Sequence, residues 1–121
     1  RTLEWGKVDL NSKLVISPRN NKYTSIMPDA EKGLTWTSRY GFVGVSVIQD
    51  HIIAEAINKS GLSASMFLFP SYGSYSKYDP NDTANTINDM DFVRWVVTQF
   101  TAVEEVMSAI NKIQIVHTYI D

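Results

Sequence analysis

Arg1 and Glu4 open the chain within one Arg-x-x-Glu segment. Taken alone, such a cation and carboxylate form a solvated ion pair worth little. Other residues that could do chemistry are sparse. His51 and His117 are the sequence's two histidines, and they fall on different elements with no second histidine or cysteine near either. Asp79, Asn81 and Thr83 copy the opening of a calcium loop. However, Ala84 stands where the sharp turn needs glycine, and Met90 where a bidentate glutamate belongs. No metal site or cofactor is expected. Gly44-Val45-Ser46-Val47-Ile48 lacks the second glycine of a nucleophile elbow and lies in a strand pattern, so Ser46 reads as a small packing residue. Asn58-Lys59-Ser60 and Asn81-Asp82-Thr83 match the N-glycosylation pattern, which arises often by chance. Tyr72, Tyr75 and Tyr78 share one loop, and tyrosine suits positions with one wet and one dry side, as at a pocket wall or an interface.

These residues must be held by something, and the composition bounds what it is. A chain of 121 residues with 44% apolar and 20% charged residues is one globular domain. A net charge of −2 supplies no field for phosphate backbones or anionic membranes, so nucleic acid and membrane surfaces are poor partners. The absence of cysteine excludes disulfides, thiolate metal sites and a cysteine nucleophile carried by this chain itself. No apolar run approaches the roughly 20 residues of a membrane span, and the compartment is left open. The chain starts at Arg1 without methionine and stops at Asp121 after an apolar stretch. Residues 1–121 are therefore expected to be a single partial domain.

Leu14-Val15-Ile16 reads as a strand closed by a turn at Ser17-Pro18-Arg19-Asn20-Asn21, and Asn20 to Gly33 as a loop. Leu34–Thr37 and Phe42–Ile48 are strand patterns. In the second, Val43, Val45 and Val47 share one face, and Gly44 and Ser46 leave the other open to close approach. Ile52–Ile57 and Leu62–Phe69 form a hairpin around Asn58-Lys59-Ser60-Gly61. Both runs are apolar at odd and even positions, as in a sheet covered on both faces. The two helices that follow cannot cover both, so the second cover is expected from outside this chain. After a Tyr-rich loop from Ser71 to Asn85, Met90, Val93, Val97 and Phe100 mark a helix with Asn88 or Asp89 as its N-cap. A second helix is expected from a Thr101–Glu104 capping box, with Val103, Val106, Met107 and Ile110 as its buried stripe. Ile113–Val116 closes the chain as a strand. The class is α+β, with an antiparallel sheet and two consecutive helices.

Four segments, taken in order, are specific enough to compare. They are Arg1-Thr2-Leu3-Glu4-Trp5, Leu34-Thr35-Trp36-Thr37-Ser38-Arg39-Tyr40-Gly41, Asn58-Lys59-Ser60-Gly61-Leu62 and Gln99-Phe100-Thr101-Ala102-Val103-Glu104-Glu105-Val106. Together they resemble the choloylglycine hydrolase family, which contains conjugated bile acid hydrolases and penicillin V acylases.

The resemblance implies part of an αββα N-terminal-nucleophile hydrolase sandwich, in which a mature N-terminal cysteine attacks a linear amide. The cysteine strand would precede residue 1, and the remainder of the sandwich would follow Asp121. Arg1 would favour the thiolate, and Glu4, where the family usually has aspartate, would orient the terminal amine. The backbone N–H of Leu68 would serve as an oxyanion donor. Trp36, Phe67, Tyr72 and Tyr75 would lie around the pocket of a small-molecule amide. The family often forms homo-oligomers. A non-catalytic ligand-binding or assembly relative of the same fold is the alternative.

Overall fold

The computed structural model describes residues 6–67, 69 and 71–118. Among the described residues, eight strands and two helices follow in the order β1 (Lys13–Ser17), β2 (Lys22–Ile26), β3 (Lys32–Thr37), β4 (Phe42–Val47), β5 (Gln49–Asn58), β6 (Ser63–Ser65), β7 (Thr86–Asn88), α1 (Phe92–Gln99), α2 (Val103–Ile110) and β8 (Gln114–Val116). A single 3₁₀ turn, Asp89–Asp91, leads into α1.

The main sheet is antiparallel in the order β1-β4-β5-β6. Its β5–β6 turn forms as the sequence indicates. Gly61 takes φ +84°, the left-handed region that glycine enters without steric cost, and its N–H donates to the Asn58 carbonyl at 3.0 Å. The Gly44 face of β4 is also crowded, since a Cβ there would lie 2.6 Å from the Glu55 carbonyl oxygen and 2.9 Å from the Ala56 Cβ. This is the face on which α1 packs, through Val93 and Val97 against Phe42, Ile53 and Ala56.

A second pair of strands, β2 and β3, forms an antiparallel hairpin. The stretch read as a loop therefore contains a strand. Lys22-Tyr23-Thr24-Ser25-Ile26 carries a β-branched and aromatic pattern too short and polar to stand out, and it becomes ordered by pairing with Lys32–Thr37. From the hairpin, Trp36 joins Leu62, Ile87, Trp95 and Val96 in the largest core cluster. Helix α1 is thus buried nearly all round, from Val93 to Thr98, because it lies between the main sheet and this hairpin layer. Strands β7 and β8 pair in parallel beside it.

Three expectations are corrected. Helix α1 is shorter than its apolar period. Met90 lies in the 3₁₀ turn, Phe100 is the extended C-cap, and Asn88 caps the turn by accepting from the Asp91 N–H at 3.0 Å. The capping box of α2 is replaced by a different contact: Ala102 is the N-cap, and Thr101 Oγ1 donates to Glu105 at 2.8 Å. The stripe of α2 is also turned outward. Val106 and Ala109 reach the Trp36 cluster, whereas Val103, Met107 and Ile110 face solvent. The second face of the main sheet, which two helices cannot cover, is open as expected. Leu14, Ile16, Val43 and Ile57 form an open apolar surface on the side away from α1, with Leu14 and Ile16 at 73% and 75% exposure.

Candidate active site

Arg1, Glu4 and Leu68 lie outside the described residues, so the geometry is built from what adjoins them. Leu10, downstream of Arg1 and Glu4, and Met66, just ahead of Leu68, pack on the same small cluster of Val47, Ile52 and Ala54. Backbone hydrogen bonds fix both segments: Ile48 N–H donates to the Leu10 carbonyl at 2.6 Å, and Met66 N–H to the Ala54 carbonyl at 2.9 Å. Ile48 takes φ +67°, which is costly for a β-branched residue. That conformation turns the chain from β4 into β5 beside Leu10. Two segments more than fifty residues apart in sequence therefore meet at one end of the main sheet.

Beyond Met66 the chain leaves the sheet and exposes its aromatic side chains. Phe67 and Phe69 are 60% and 64% exposed, with ring centroids 6.5 Å apart. Tyr72 is 90% exposed on a turn whose Tyr72 and Gly73 N–H groups both donate to the Phe69 carbonyl at 3.1 Å. Tyr75 comes back over the same turn: a Cβ on Gly73 would lie 3.9 Å from its ring and 3.7 Å from the Phe69 carbonyl oxygen. The exposed aromatic residues Phe67, Phe69, Tyr72 and Tyr75 thus all stand on this one segment, the aromatic ledge.

The loop behind the ledge is pinned in three places. The Tyr75 ring stacks on His117 at a centroid distance of 4.8 Å. The Ser76 N–H donates to the Ile115 carbonyl of β8 at 2.9 Å. The Tyr78 hydroxyl donates to both carboxylate oxygens of Asp29 at 2.8 Å, on the β2–β3 turn. Both tyrosines are held in the neutral form. Tyr78 is pushed up to about 12 by desolvation first, then by its hydrogen bond to Asp29 and the charges of Asp29, Glu31 and Asp79. Tyr75 is raised by desolvation, and further by the charge of Asp89 and its hydrogen bond to that carboxylate.

Trp36 is placed elsewhere. It is 7% exposed, and its Nε1–H donates to Thr98 Oγ1 at 3.0 Å. It is thus a core residue holding the hairpin to α1, because β3 turns that face inward, and it does not share the ledge with Phe67, Tyr72 and Tyr75. Beside it lies Arg94, which spacing did not single out. Arg94 is buried, pairs with Asp91 at 3.0 Å and lies 4.2 Å over the Tyr23 ring. Asp29, Asp89 and His117 also went unrecognised as partners of the tyrosine loop, since they lie far away in sequence and carry no motif. Among the described residues no three metal-ligating side chains converge. Asp79 accepts the Asn81 N–H at 2.9 Å, so the calcium-like pattern is a turn. The open sheet face carries a shallow groove of about 350 Å³ between Leu14, Val45, Glu55 and Ile57, which none of Trp36, Phe67, Tyr72 and Tyr75 lines.

A family model described as linear amide C–N hydrolases, choloylglycine hydrolase family, matches residues 1–121. The chain belongs to the choloylglycine hydrolase family. Within it, the chain is 34% identical over 108 residues to the bile salt hydrolase/transferase of Clostridium perfringens, a match covering 88% of this chain and 31% of that protein. Identity to the bile salt hydrolase/transferase of Lactiplantibacillus plantarum is 27% over 113 residues, covering 92% and 33%. The penicillin V acylase structure from Agrobacterium tumefaciens superposes with a TM-score of 0.80 at 27% identity, over 96% of this chain and 35% of that one. An arginine-to-leucine variant of the conjugated bile acid hydrolase from Clostridium perfringens gives a TM-score of 0.70 at 30% identity, over 94% and 33%. The choloylglycine hydrolase fold is thus shared across antiparallel sheets and both helices, and the chain spans about a third of the length of the relatives it matches.

Proposed function

We propose that this sequence is the front part of an amidohydrolase that cleaves a linear carbon–nitrogen bond between a hydrophobic acyl group and a polar amine. The attacking group is an N-terminal cysteine on a strand ahead of residue 1, with the chain's own α-amino group as base. Arg1 favours the thiolate of that cysteine by its positive charge. Glu4 orients the amine for proton transfer. The Leu68 N–H donates to the oxyanion as the carbonyl carbon becomes tetrahedral. The aromatic ledge of Phe67, Tyr72 and Tyr75 receives the acyl group. Polypeptide following Asp121 covers the open face of the main sheet.

The observation that supports this reading best is the meeting of Leu10 and Met66 on the Val47–Ile52–Ala54 cluster. It brings the chain after Arg1 and Glu4 to the same end of the sheet as the chain before Leu68. Family membership along all 121 residues supplies the reaction class.

The test is made in the complete open reading frame. Mass spectrometry of the mature N-terminus should find cysteine about a strand's length ahead of Arg1. Arg1→Ala should then lower kcat/KM by on the order of 10²-fold or more at an unchanged melting temperature. Full activity in that variant removes Arg1 from the mechanism.

A second reading rests on Glu4, which stands where the family usually has aspartate. The extra methylene shifts the carboxylate, which favours a relative that retains the pocket and binds amides without cleaving them. An upstream residue other than cysteine, serine or threonine selects this reading.

A further inference from the structure

Asp89 and His117 stand outside every role assigned so far, yet they converge behind the aromatic ledge. The Asp89 carboxylate is largely buried, at 11% side-chain exposure, and it meets the segment after β8 and the Tyr75 loop. One oxygen meets His117 Nδ1 at 2.7 Å, the other accepts the Thr118 N–H at 3.1 Å, and the carboxylate's charge reaches the Tyr75 hydroxyl. Asp89 opens the 3₁₀ turn ahead of α1, the most buried helix, so its own position is fixed by the core.

The hydrogen bond to Asp89 sets the plane of the imidazole, and the plane of the imidazole sets that of Tyr75. The two rings are stacked at 4.8 Å with 29° between their planes. Tyr75 in turn reaches back beside Gly73, at the turn that carries Phe69 and Tyr72. Phe67, Phe69 and Tyr72 are 60%, 64% and 90% exposed, against 47% for Tyr75. Tyr75 is stacked on a histidine that a core-anchored carboxylate holds, and the next residue, Ser76, bonds to β8.

We propose that Asp89 and His117 are positioning residues, which hold the Tyr75 ring as the fixed wall against which the acyl group of the substrate lies. This rests on the amidohydrolase reading given above. Neither residue touches the reacting atoms. Their effect acts on binding of the acyl group, through a ring that would otherwise turn about its side-chain bonds and have to be immobilised each time substrate binds.

The experiment uses the complete protein and two amides of the same amine, one with a bulky hydrophobic acyl group and one with acetyl. His117→Ala should raise KM for the bulky amide by about three- to tenfold, the range of one aromatic contact, with kcat little changed. The ratio of kcat/KM between bulky and acetyl amides should fall by the same factor. His117→Phe keeps a ring under Tyr75 but cannot bond to Asp89, so it should recover little of that loss. Asp89→Ala should move KM in the same direction as His117→Ala.

Equal KM values for His117→Ala and wild type, or an equal loss on both amides, overturn the positioning role. So does a His117→Phe variant that matches wild type, since a ring without the bond to Asp89 would then suffice. If His117→Ala does not fold, Tyr75→Ala must produce the same selective rise in KM, and its failure to do so is decisive against the proposal. A wild-type protein with no activity on either amide overturns the amidohydrolase reading, and this proposal falls with it.

Discussion

Asn58 carries a glycosylation-type pattern in the sequence and a packing role in the fold. It is buried, with Nδ2 donating to the Val97 and Phe100 carbonyls at 3.0 and 2.7 Å, and Oδ1 accepting the Ser60 and Leu62 N–H groups at 3.0 and 3.2 Å. One amide side chain thereby closes the β5–β6 turn and supplies donors to two carbonyls at the end of α1, which a helix terminus leaves without partners. Glycan attachment there is incompatible with this bonding. Asn58→Ala should destabilise the protein by roughly 2–4 kcal/mol, because buried donors and acceptors lose their partners. Asn58→Asp should be no better, since it turns a donor into an anion facing two carbonyls. Urea unfolding midpoints check both variants, and a change below about 1 kcal/mol would show that water replaces the side chain there. Arg1 belongs to this scale too. Its value depends on the thiol it serves, so its substitution should be read in kcat/KM while the melting temperature stays constant.

At the scale of elements, the loop from Ser71 to Asn85 departs most from its sequence appearance. It reads as a polar, aromatic connector, yet Tyr75, Ser76 and Tyr78 fasten it to β8, to the 3₁₀ turn and to the β2–β3 turn. Both tyrosine pKa values are raised above 10.0, so the hydroxyl anchors are intact below pH 10 and are lost as pH rises through the raised values, near 12 for Tyr78. Spectrophotometric titration of tyrosinate should therefore show late-ionising groups beside ordinary ones. Tyr78→Phe should remove the latest step and increase proteolytic nicking of the loop at neutral pH, because Asp29 then loses its donor. Helix α2 shows the complementary case. Its apolar period is genuine, but which side is buried depends on the rotation imposed by Val106, Ala109 and Ile113 at the Trp36 cluster.

At the scale of the molecule, the open face of the main sheet is the largest departure from a closed core. Leu14, Ile16, Val43 and Ile57 are apolar and exposed together, an arrangement that marks a surface meant to meet another. On the reading that following polypeptide covers it, Ile57→Glu should lower the melting temperature of the complete protein. In the isolated 121-residue chain the same change should reduce self-association without a matching loss of stability. Calorimetry and light scattering check the two halves, and an unchanged melting temperature in the complete protein would mean the face is solvated there as well.

Much of this was legible from the chain itself. The class α+β, the β5–β6 hairpin with Gly61 at its left-handed position, the Asn88 cap and the family follow from local chemistry: glycine where φ is positive, asparagine where a helix needs an acceptor, and four motifs in register. Strand β2 was not legible, because a short polar strand has no signal apart from the partner that orders it. Nor was the assignment of Trp36 to the core, since a tryptophan in a strand is equally suited to a pocket wall until the facing layer is known. The Asp89–His117–Tyr75 contact, spanning 28 residues between the acid and the imidazole, left no trace in spacing. Local propensity and motif order are written along the chain. Which apolar face is buried, and which distant polar groups meet, is decided when the layers pack, because burial and hydrogen bonding across them depend on distances that sequence separation does not encode.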